Sequence, residues 1–280
     1  MVMSDDGGEV RLHGGFTNAG LVCRVGDSVR RPWRPTSPAA KAVLDHLERV
    51  GFDGAPRFLG VDDAGREMLS FVPGDAVIEP YPAWALTEEA LVSVAELLRR
   101  YHDAVASFDA PGHTWPHSVP VAFRGGVISH NDPNLDNVIF DAGRAVALID
   151  FDLACPGSAV WDVACAARLW APLRDDTDVP EQLRGRSLSR LRTFVDAYGL
   201  PQRERARVVD AMVHTHDWCY GVVRTAVVGG HESFGRMWRE GGERRATRTR
   251  HWLASHGAQM RAVLRVGSDT ATRSTVPHGA

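Results

Sequence analysis

One segment constrains this 280-residue chain more than any other, and it runs from Ser129 to Leu153. It begins Ser-His-Asn-Asp-Pro-Asn-Leu-Asp-Asn, which places His130, Asp132 and Asn137 in the spacing H-x-D-x-x-x-x-N. Because Asp and Asn are common in ordinary loops, this spacing alone would carry little weight. Its meaning depends on the pattern that follows it.

A β-hairpin is predicted directly after this loop. Two apolar runs, Val138 to Phe140 and Ala145 to Ile149, are separated by Asp-Ala-Gly-Arg. A Gly-containing turn between apolar runs is typical of a hairpin. Asn137 stands at the hairpin's entry and Asp150 at its exit. The two oxygen-bearing side chains are therefore expected to come back toward one another.

This layout suits phosphoryl transfer, which needs a hydroxyl held in line with a phosphate and Mg²⁺ held on hard oxygen ligands. We predict that Asp132 accepts the hydroxyl proton, or orients the hydroxyl, and that His130 holds the loop. We predict that Asn137 and Asp150 bind the metal. An H-x-D-x-x-x-x-N loop followed by Asp-Phe is the signature pair of kinases.

The details of this pair resemble the aminoglycoside phosphotransferase and choline kinase family more than the protein kinases. Asp152 stands where protein kinases have Gly, and His-Asn-Asp stands where they have His-Arg-Asp. The resemblance implies an enzyme that uses ATP and Mg²⁺ to phosphorylate a hydroxyl of a small molecule, with Asp152 reaching a second ion. It extends over most of residues 9–265 and is specific between 129 and 153.

The resemblance also implies an α+β, bilobal, protein-kinase-like fold. The expected parts are a nucleotide-binding lobe, residues 1–72, with five antiparallel strands and one helix, and a larger, mostly helical, catalytic and acceptor-binding lobe, residues 73–266. The polar residues 267–280 are expected to form a disordered tail. Short strand-like segments before residue 72 and helical periodicity after Thr87 agree with this division.

The first turn of the small lobe is a candidate for phosphate binding. In the family this turn, here His-Gly-Gly-Phe-Thr-Asn, folds over the triphosphate, which makes Gly14, Gly15 and Thr17 candidates. Glycines allow backbone N–H groups to approach phosphate oxygens closely.

The third strand should carry a cation that clamps the phosphates. Lys41 is the only lysine in the chain, so nearly every cation is an arginine. Arg30 and Arg31 point to opposite faces of the strand, and both could be solvated edge charges. Comparison with the family favours Arg30, with Arg31 as the alternative.

Two further features of the small lobe follow from the resemblance. The Glu that pairs with the strand cation in relatives is missing from the first helix, where Asp45 and Glu48 are the candidate substitutes. The hinge, where backbone groups hydrogen-bond adenine, makes Ser70 and Val72 candidates.

An acid after the catalytic loop is a candidate support for it. Asp162 follows Trp161 near the start of a predicted helix. In the family, an Asp in this context braces the catalytic loop through backbone hydrogen bonds. A simple acid at a helix start is the alternative.

Composition excludes some partners. A net charge of −3 gives no reason to expect nucleic acid, and no apolar run reaches membrane-spanning length. The acidic start does not read as a secretory signal. The four scattered cysteines are expected to be buried, reduced thiols of a cytoplasmic protein. The oligomeric state stays open.

The acceptor also stays open. Residues 236–265 contain eight arginines and two glutamates, and a compact acidic group lies at residues 175–181. The favoured interpretation of both is solvated surface, but arginines facing the cleft would repel a polycationic aminoglycoside. The alternatives are a kinase of choline, an amino alcohol or another small metabolite, and a catalytically weak nucleotide-binding pseudokinase.

Overall fold

A computed structural model describes residues 8–12, 20–115 and 117–265. Its first part is a five-stranded antiparallel sheet with the strand order β1-β2-β3-β5-β4. The strands are β1 (Glu9–Arg11), β2 (Cys23–Val25), β3 (Ser28–Pro32), β4 (Phe58–Val61) and β5 (Arg66–Ser70). The predicted small lobe of five antiparallel strands is confirmed.

One helix, α1 (Ser37–Arg49), packs against this sheet. Pro38 stands in its first turn, where a missing backbone N–H costs no helical hydrogen bond. Its apolar stripe, which includes Val43 and Leu47, is fully buried. The chain turns away at Gly51, whose φ of +76° is readily adopted by glycine.

The second part is mostly helical and carries two small sheets. Its elements are β6 (Asp75–Ala76), α2 (Glu88–Val105), β7 (Val127–Ser129), β8 (Val138–Asp141), β9 (Arg144–Leu148), β10 (Cys155–Gly157), α3 (Ala159–Trp170), α4 (Ser187–Tyr198), α5 (Gln202–Val228), α6 (Glu232–Met237), α7 (Glu243–Ser255) and α8 (Gly257–Arg265). The sheets have the orders β6-β8-β9 and β10-β7. The predicted hairpin corresponds to β8 and β9.

Helix α2 forms the centre of the second part. The Thr87 side chain caps its start by accepting a hydrogen bond from the backbone N–H of Ala90. Leu98 and Tyr101 are fully buried on its inner face. Ser93 Oγ accepts a hydrogen bond from the N–H of Ala145 at 2.9 Å, which ties α2 to the hairpin. Helix α2 therefore supports the hairpin that follows the H-x-D-x-x-x-x-N loop.

The helical region after residue 231 is interrupted at Gly241-Gly242. Gly241 has φ +110°, a backbone conformation that L residues with a Cβ rarely adopt. The chain changes direction there between α6 and α7.

Two further expectations concern the cysteines, predicted to be buried thiols, and the helices, predicted to be too short or too polar to span a membrane. All four cysteines are free; three are buried and Cys219 is partly buried. Across the described ranges, none of the helices combines the length and the apolar character needed to cross a bilayer. Residues 267–280, predicted as a tail, lie outside the described residues, and the lobe boundaries stay predictions.

Candidate functional site

The hairpin brings the predicted metal ligands to one place. Val138 on β8 pairs with Leu148 on β9, and the N–H of Ile149 donates to the carbonyl oxygen of Asn137 at 2.9 Å. Asp150, the next residue, has φ +62° and turns the chain out of the hairpin. Asn137 and Asp150 are therefore neighbours across the hairpin's open end.

Asp132 is tied directly to Asn137. The Asn137 amide nitrogen donates to both the carbonyl oxygen and Oδ2 of Asp132, each at 3.0 Å. Burial, followed by the charges of Asp150 and Asp136, raises the pKa of the Asp132 carboxyl to about 7. A carboxylate with such a pKa can accept a proton from a hydroxyl near neutral pH.

His130 is buried and is hydrogen-bonded on both ring nitrogens. Its Nε2 lies 3.1 Å from the carbonyl oxygen of Ile149, and its Nδ1 accepts the N–H of Asp132 at 3.3 Å. These partners require the proton on Nε2. Burial lowers the pKa of His130, so its ring is neutral. In this position His130 orients the backbone beside Asp132.

Asp162 braces the same loop from below. Its Oδ2 accepts the N–H of His130 at 2.7 Å, and its Oδ1 accepts the N–H of Asn131 at 2.9 Å. His102 Nε2 also donates to Oδ2, at 2.9 Å, while His102 Nδ1 is hydrogen-bonded to the Tyr198 hydroxyl. The predicted bracing role is confirmed, and Asp162 also lies in the first turn of α3.

Sequence reasoning missed Asn131 as a structural residue of the loop. Its φ is +67°, a left-handed conformation that Asn tolerates better than most residues. Its Oδ1 accepts the indole N–H of Trp161 at 2.8 Å, and its Nδ2 donates to the carbonyl oxygen of Leu153 at 2.8 Å. Asn in place of the kinase Arg was visible in the sequence, but its partners lie up to 30 residues away.

Arg31 is the cation that reaches the metal-ligand segment. Its Nη1 donates to Asp150 Oδ1 at 3.0 Å, and its Nη2 donates to Asp152 Oδ1 at 2.9 Å. Its Nε lies 2.5 Å from Glu67 Oε1, as an ion-pair contact. Burial disfavours its charged form, but the three carboxylates outweigh burial and raise the Arg31 pKa.

Arg30 points to the other face of the sheet, contrary to the preference for Arg30 as the cleft cation. Its Nη1 donates to Ser28 Oγ at 2.6 Å, and its Nε lies 3.8 Å from Asp62 Oδ2. Alternation along β3 allows only one of the two arginines to face the second part of the chain. The packing of the sheet against the second part of the chain determines which side of β3 faces Asp150 and Asp152, and Arg31 lies on that side.

Glu67 supplies the carboxylate that pairs with the strand cation, the role that relatives give to a Glu of the first helix. It lies on β5 directly opposite Arg31, so the two side chains share one face of the sheet. The two candidates on α1 do not take this role. Asp45 is paired with Lys41 at 2.5 Å, and Glu48 is exposed. A strand-to-strand pair thus replaces a strand-to-helix pair.

The donor set fits Mg²⁺. Asn137 uses its amide nitrogen on Asp132, and within the described residues its Oδ1 accepts no hydrogen bond. Asp150 adds a partly exposed carboxylate. Hard oxygen donors of this kind, completed by phosphate oxygens, are what Mg²⁺ requires. In the described ranges, no group of three or more His, Cys, Asp or Glu side chains is arranged to hold a metal ion.

Asp152, which is predicted to reach a second ion, is 9% exposed, and Arg31 is bound to its carboxylate. Burial, followed by the charge of Asp150, raises the Asp152 pKa. In this geometry Asp152 anchors Arg31.

The remaining nucleotide-binding candidates lie near the sheet. Ser70 Oγ accepts the N–H of Arg57 at 2.8 Å, so its hydroxyl holds the start of β4. The N–H and C=O of Val72 take part in no backbone hydrogen bond among residues that the structure describes. Gly14, Gly15 and Thr17 lie outside the described residues.

A polar cleft of about 510 Å³ lies beside the catalytic loop. We define this polar cleft by five of its lining residues: Tyr81, Arg174, Asp178, Tyr220 and Arg245. Tyr81 lies close enough to Asp136 of the catalytic loop for that charge to raise the Tyr81 pKa, which burial raises first. The volume is in the range of small-molecule sites.

We predict that Asp162→Asn lowers the free energy of unfolding at neutral pH by about 2–5 kcal/mol, because the loop N–H groups lose a buried charged acceptor. Although burial acts in the opposite direction, the hydrogen bond from His102 and further contacts lower the Asp162 pKa. The stabilisation is therefore full above the unfolded-state pKa of about 3.9 and is lost as pH falls through the folded-state pKa.

Urea unfolding of the wild type and of Asp162→Asn between pH 7 and pH 3 measures this effect. The difference between their free energies of unfolding should become smaller toward pH 3. Asp103→Asn is the matched control, since Asp103 is exposed and paired with Arg99; it should cost no more than about 1 kcal/mol. Equal costs for the two substitutions would contradict the bracing role.

Comparisons with known proteins agree with this geometry. Residues 114–198, which contain the catalytic loop and the hairpin, match the family model described as "Phosphotransferase enzyme family" (APH). The trifolitoxin immunity protein of Rhizobium leguminosarum bv. trifolii is 33% identical over 267 residues, which cover 91% of this chain and 98% of that protein.

Solved structures share the fold. A choline/ethanolamine kinase family protein from Mesorhizobium loti superposes with a TM-score of 0.62 at 20% identity and covers 94% of both chains. An aminoglycoside phosphotransferase from Alicyclobacillus acidocaldarius subsp. acidocaldarius gives 0.52 at 14% identity, over 94% of this chain and 92% of that chain. The predicted protein-kinase-like fold is confirmed, and this chain belongs to the APH phosphotransferase enzyme family.

Proposed function

We propose that this protein transfers the γ-phosphate of ATP to a hydroxyl of a small molecule. The observation that carries the proposal is the convergence of Asp132, Asn137 and Asp150 at the open end of one hairpin. A proton acceptor and two oxygen ligands at one end of a hairpin are the parts that phosphoryl transfer needs.

In the proposed reaction Asp132 acts on the acceptor. Its carboxylate takes the hydroxyl proton as the hydroxyl oxygen bonds to the γ-phosphorus, and the bond to the β-phosphate oxygen breaks to release ADP. Asn137 holds the Asp132 carboxylate in place through its amide nitrogen. His130 fixes the backbone on which Asp132 stands.

Asn137 and Asp150 would hold Mg²⁺, which supplies charge neutralisation of the phosphates when it is bound. Arg31 faces the same region with a guanidinium suited to phosphate oxygens. Glu67 and Asp152 keep Arg31 extended toward Asp150. Asp152 as a ligand of a second ion stays a prediction.

We expect Asp132→Ala to lower the turnover rate by about 100- to 10,000-fold, because the proton acceptor is removed. Nucleotide binding should persist, since Asp150 and Arg31 are unchanged. ADP release with a substrate acceptor and binding of a fluorescent ATP analogue measure the two effects. Asp141→Ala, an exposed change in the hairpin, is the control. Near-wild-type turnover of the Asp132 variant would refute the assignment.

The neighbouring arginines of β3 provide a matched pair. Replacing Arg31 with Gln should raise the KM for ATP by about 10- to 100-fold, as expected for the loss of a charged contact to phosphate. Replacing Arg30 with Gln should change the KM for ATP by less than about twofold, because Arg30 contacts Ser28 and Asp62 on the other face of the sheet. Thermal unfolding of both variants checks folding. A larger KM effect at Arg30 would restore the sequence-based preference.

The alternative is an inactive nucleotide-binding regulator on the same fold, suggested by Arg in place of the strand Lys and by the missing helix Glu. Glu67 weakens this alternative because it supplies a carboxylate to Arg31 from another element. Magnesium-dependent ATP turnover that is abolished by Asp150→Asn would dispose of it.

The likeness to the trifolitoxin immunity protein favours a second, biological candidate role, immunity to a toxin. Expression of the chain in a trifolitoxin-sensitive strain should raise the toxin concentration that the cells tolerate. If phosphoryl transfer provides the immunity, the Asp132→Ala variant should lose it. Protection by that variant equal to wild type would separate immunity from the proposed reaction.

A further inference from the structure

Two arginines and two acids line the polar cleft. Arg174 and Arg245 both line it. The Nε atom of Arg174 is buried and has no hydrogen-bond acceptor among the residues that the structure describes. An arginine nitrogen can only donate, so the part of the Arg174 guanidinium that lines the cleft would suit a ligand with acceptor oxygens.

A third arginine lies between the polar cleft and Asp132. Arg168 on α3 is 7% exposed, and its Nε also lacks an acceptor in the described part of the chain. It is near enough to lower the pKa values of both Asp132 and the cleft residue Tyr220, although burial raises each of them. Positive charge therefore extends from the cleft toward the proposed proton acceptor.

The two acids that line the cleft, Asp178 and Glu79, each lie beside another group. Asp178 is held by Arg248 from α7, whose Nη2 and Nε donate to it at 2.6 Å and 3.0 Å. Glu79 lies close enough to Tyr81 for its charge to raise the Tyr81 pKa, which burial raises first. With Arg248 included, three arginines face the two acids, so the local balance of charge is positive.

We propose that the polar cleft binds the anionic part of the acceptor, so that the substrate is a hydroxylated compound carrying a carboxylate or phosphate group. This inference rests on the proposed phosphotransfer function and names its substrate class. Arg174 and Arg245 hold the anion. The substrate hydroxyl then lies toward Asp132, on the side of the cleft where Tyr81 lies near Asp136 of the catalytic loop.

The same charges disfavour a cationic acceptor. An aminoglycoside carries several ammonium groups, and each would meet the field of the arginines. Tyr81 and Tyr220 could offer aromatic faces to a quaternary ammonium ion, but Arg174 and Arg245 line the same space. The fold shared with choline and aminoglycoside kinases therefore does not extend to their substrates.

The test measures ADP release by the full chain with Mg²⁺ and ATP on acceptors in matched pairs. Glycerate and N-acetylserine are each compared with their methyl esters, glycerol 3-phosphate is compared with glycerol, and choline, ethanolamine and kanamycin form the cationic group. The carboxylate and phosphate arms distinguish the two sources of anion. We expect kcat/KM for an anion to exceed that for its neutral partner by at least about tenfold. A preference for the esters, for glycerol or for a cation would overturn the proposal.

Variants then locate the effect. Arg174→Gln and Arg245→Gln should each raise the KM for the anionic acceptor by about tenfold while leaving the KM for ATP within about twofold. Arg244→Gln is the matched control, because Arg244 is the exposed neighbour of Arg245 on α7 and does not line the cleft. Equal effects of all three substitutions would also overturn the proposal.

A binding arm separates this inference from the proposed function. If a fluorescent ATP analogue binds in a magnesium-dependent way but no acceptor gives ADP release, the proposed phosphotransfer fails and the inference about the cleft is still open to test. Calorimetric titration with tartrate, an organic dianion, then measures whether the cleft binds an anion. Millimolar binding that weakens about fivefold or more in Arg174→Gln and Arg245→Gln supports the inference. No heat at millimolar tartrate, or heat unaffected by both variants, overturns it.

Discussion

The geometry of the site depends on one buried carboxylate. Asp162 accepts the backbone N–H groups of two successive loop residues, His130 and Asn131, and a third hydrogen bond from His102. A charged acceptor in a dry interior is stabilised only when it is fully hydrogen-bonded. These hydrogen bonds hold the loop against helices α2 and α3. The position of Asp132, the next residue of the loop, depends on them.

A second network joins the sheet to the loop. Arg31 on β3 contacts Glu67 on β5 and both acids of the Asp-Phe-Asp segment. A buried arginine among three carboxylates is stable because each partner offsets the desolvation of the others. Arg31 is thus held by carboxylates from the sheet and from the Asp-Phe-Asp segment, which gives its guanidinium a fixed direction.

Membership of the APH family accounts for the reaction type and leaves the acceptor to local chemistry. The catalytic loop and hairpin lie in the segment that matches the family, residues 114–198. The polar cleft draws Tyr220 and Arg245 from helices beyond it. A fold can keep one phosphotransfer centre while charge in the neighbouring cleft changes the compound that is bound.

The sequence by itself determined the helices and strands, the hairpin after the catalytic loop, and the grouping of Asp132, Asn137 and Asp150, because these features follow from local periodicity, turn residues and short spacing. Only the tertiary structure decided between Arg30 and Arg31. Alternation along a strand defines two faces but does not say which face is covered. The pairing of Arg31 with Glu67 likewise joins strands that are 36 positions apart, so no local pattern could reveal it.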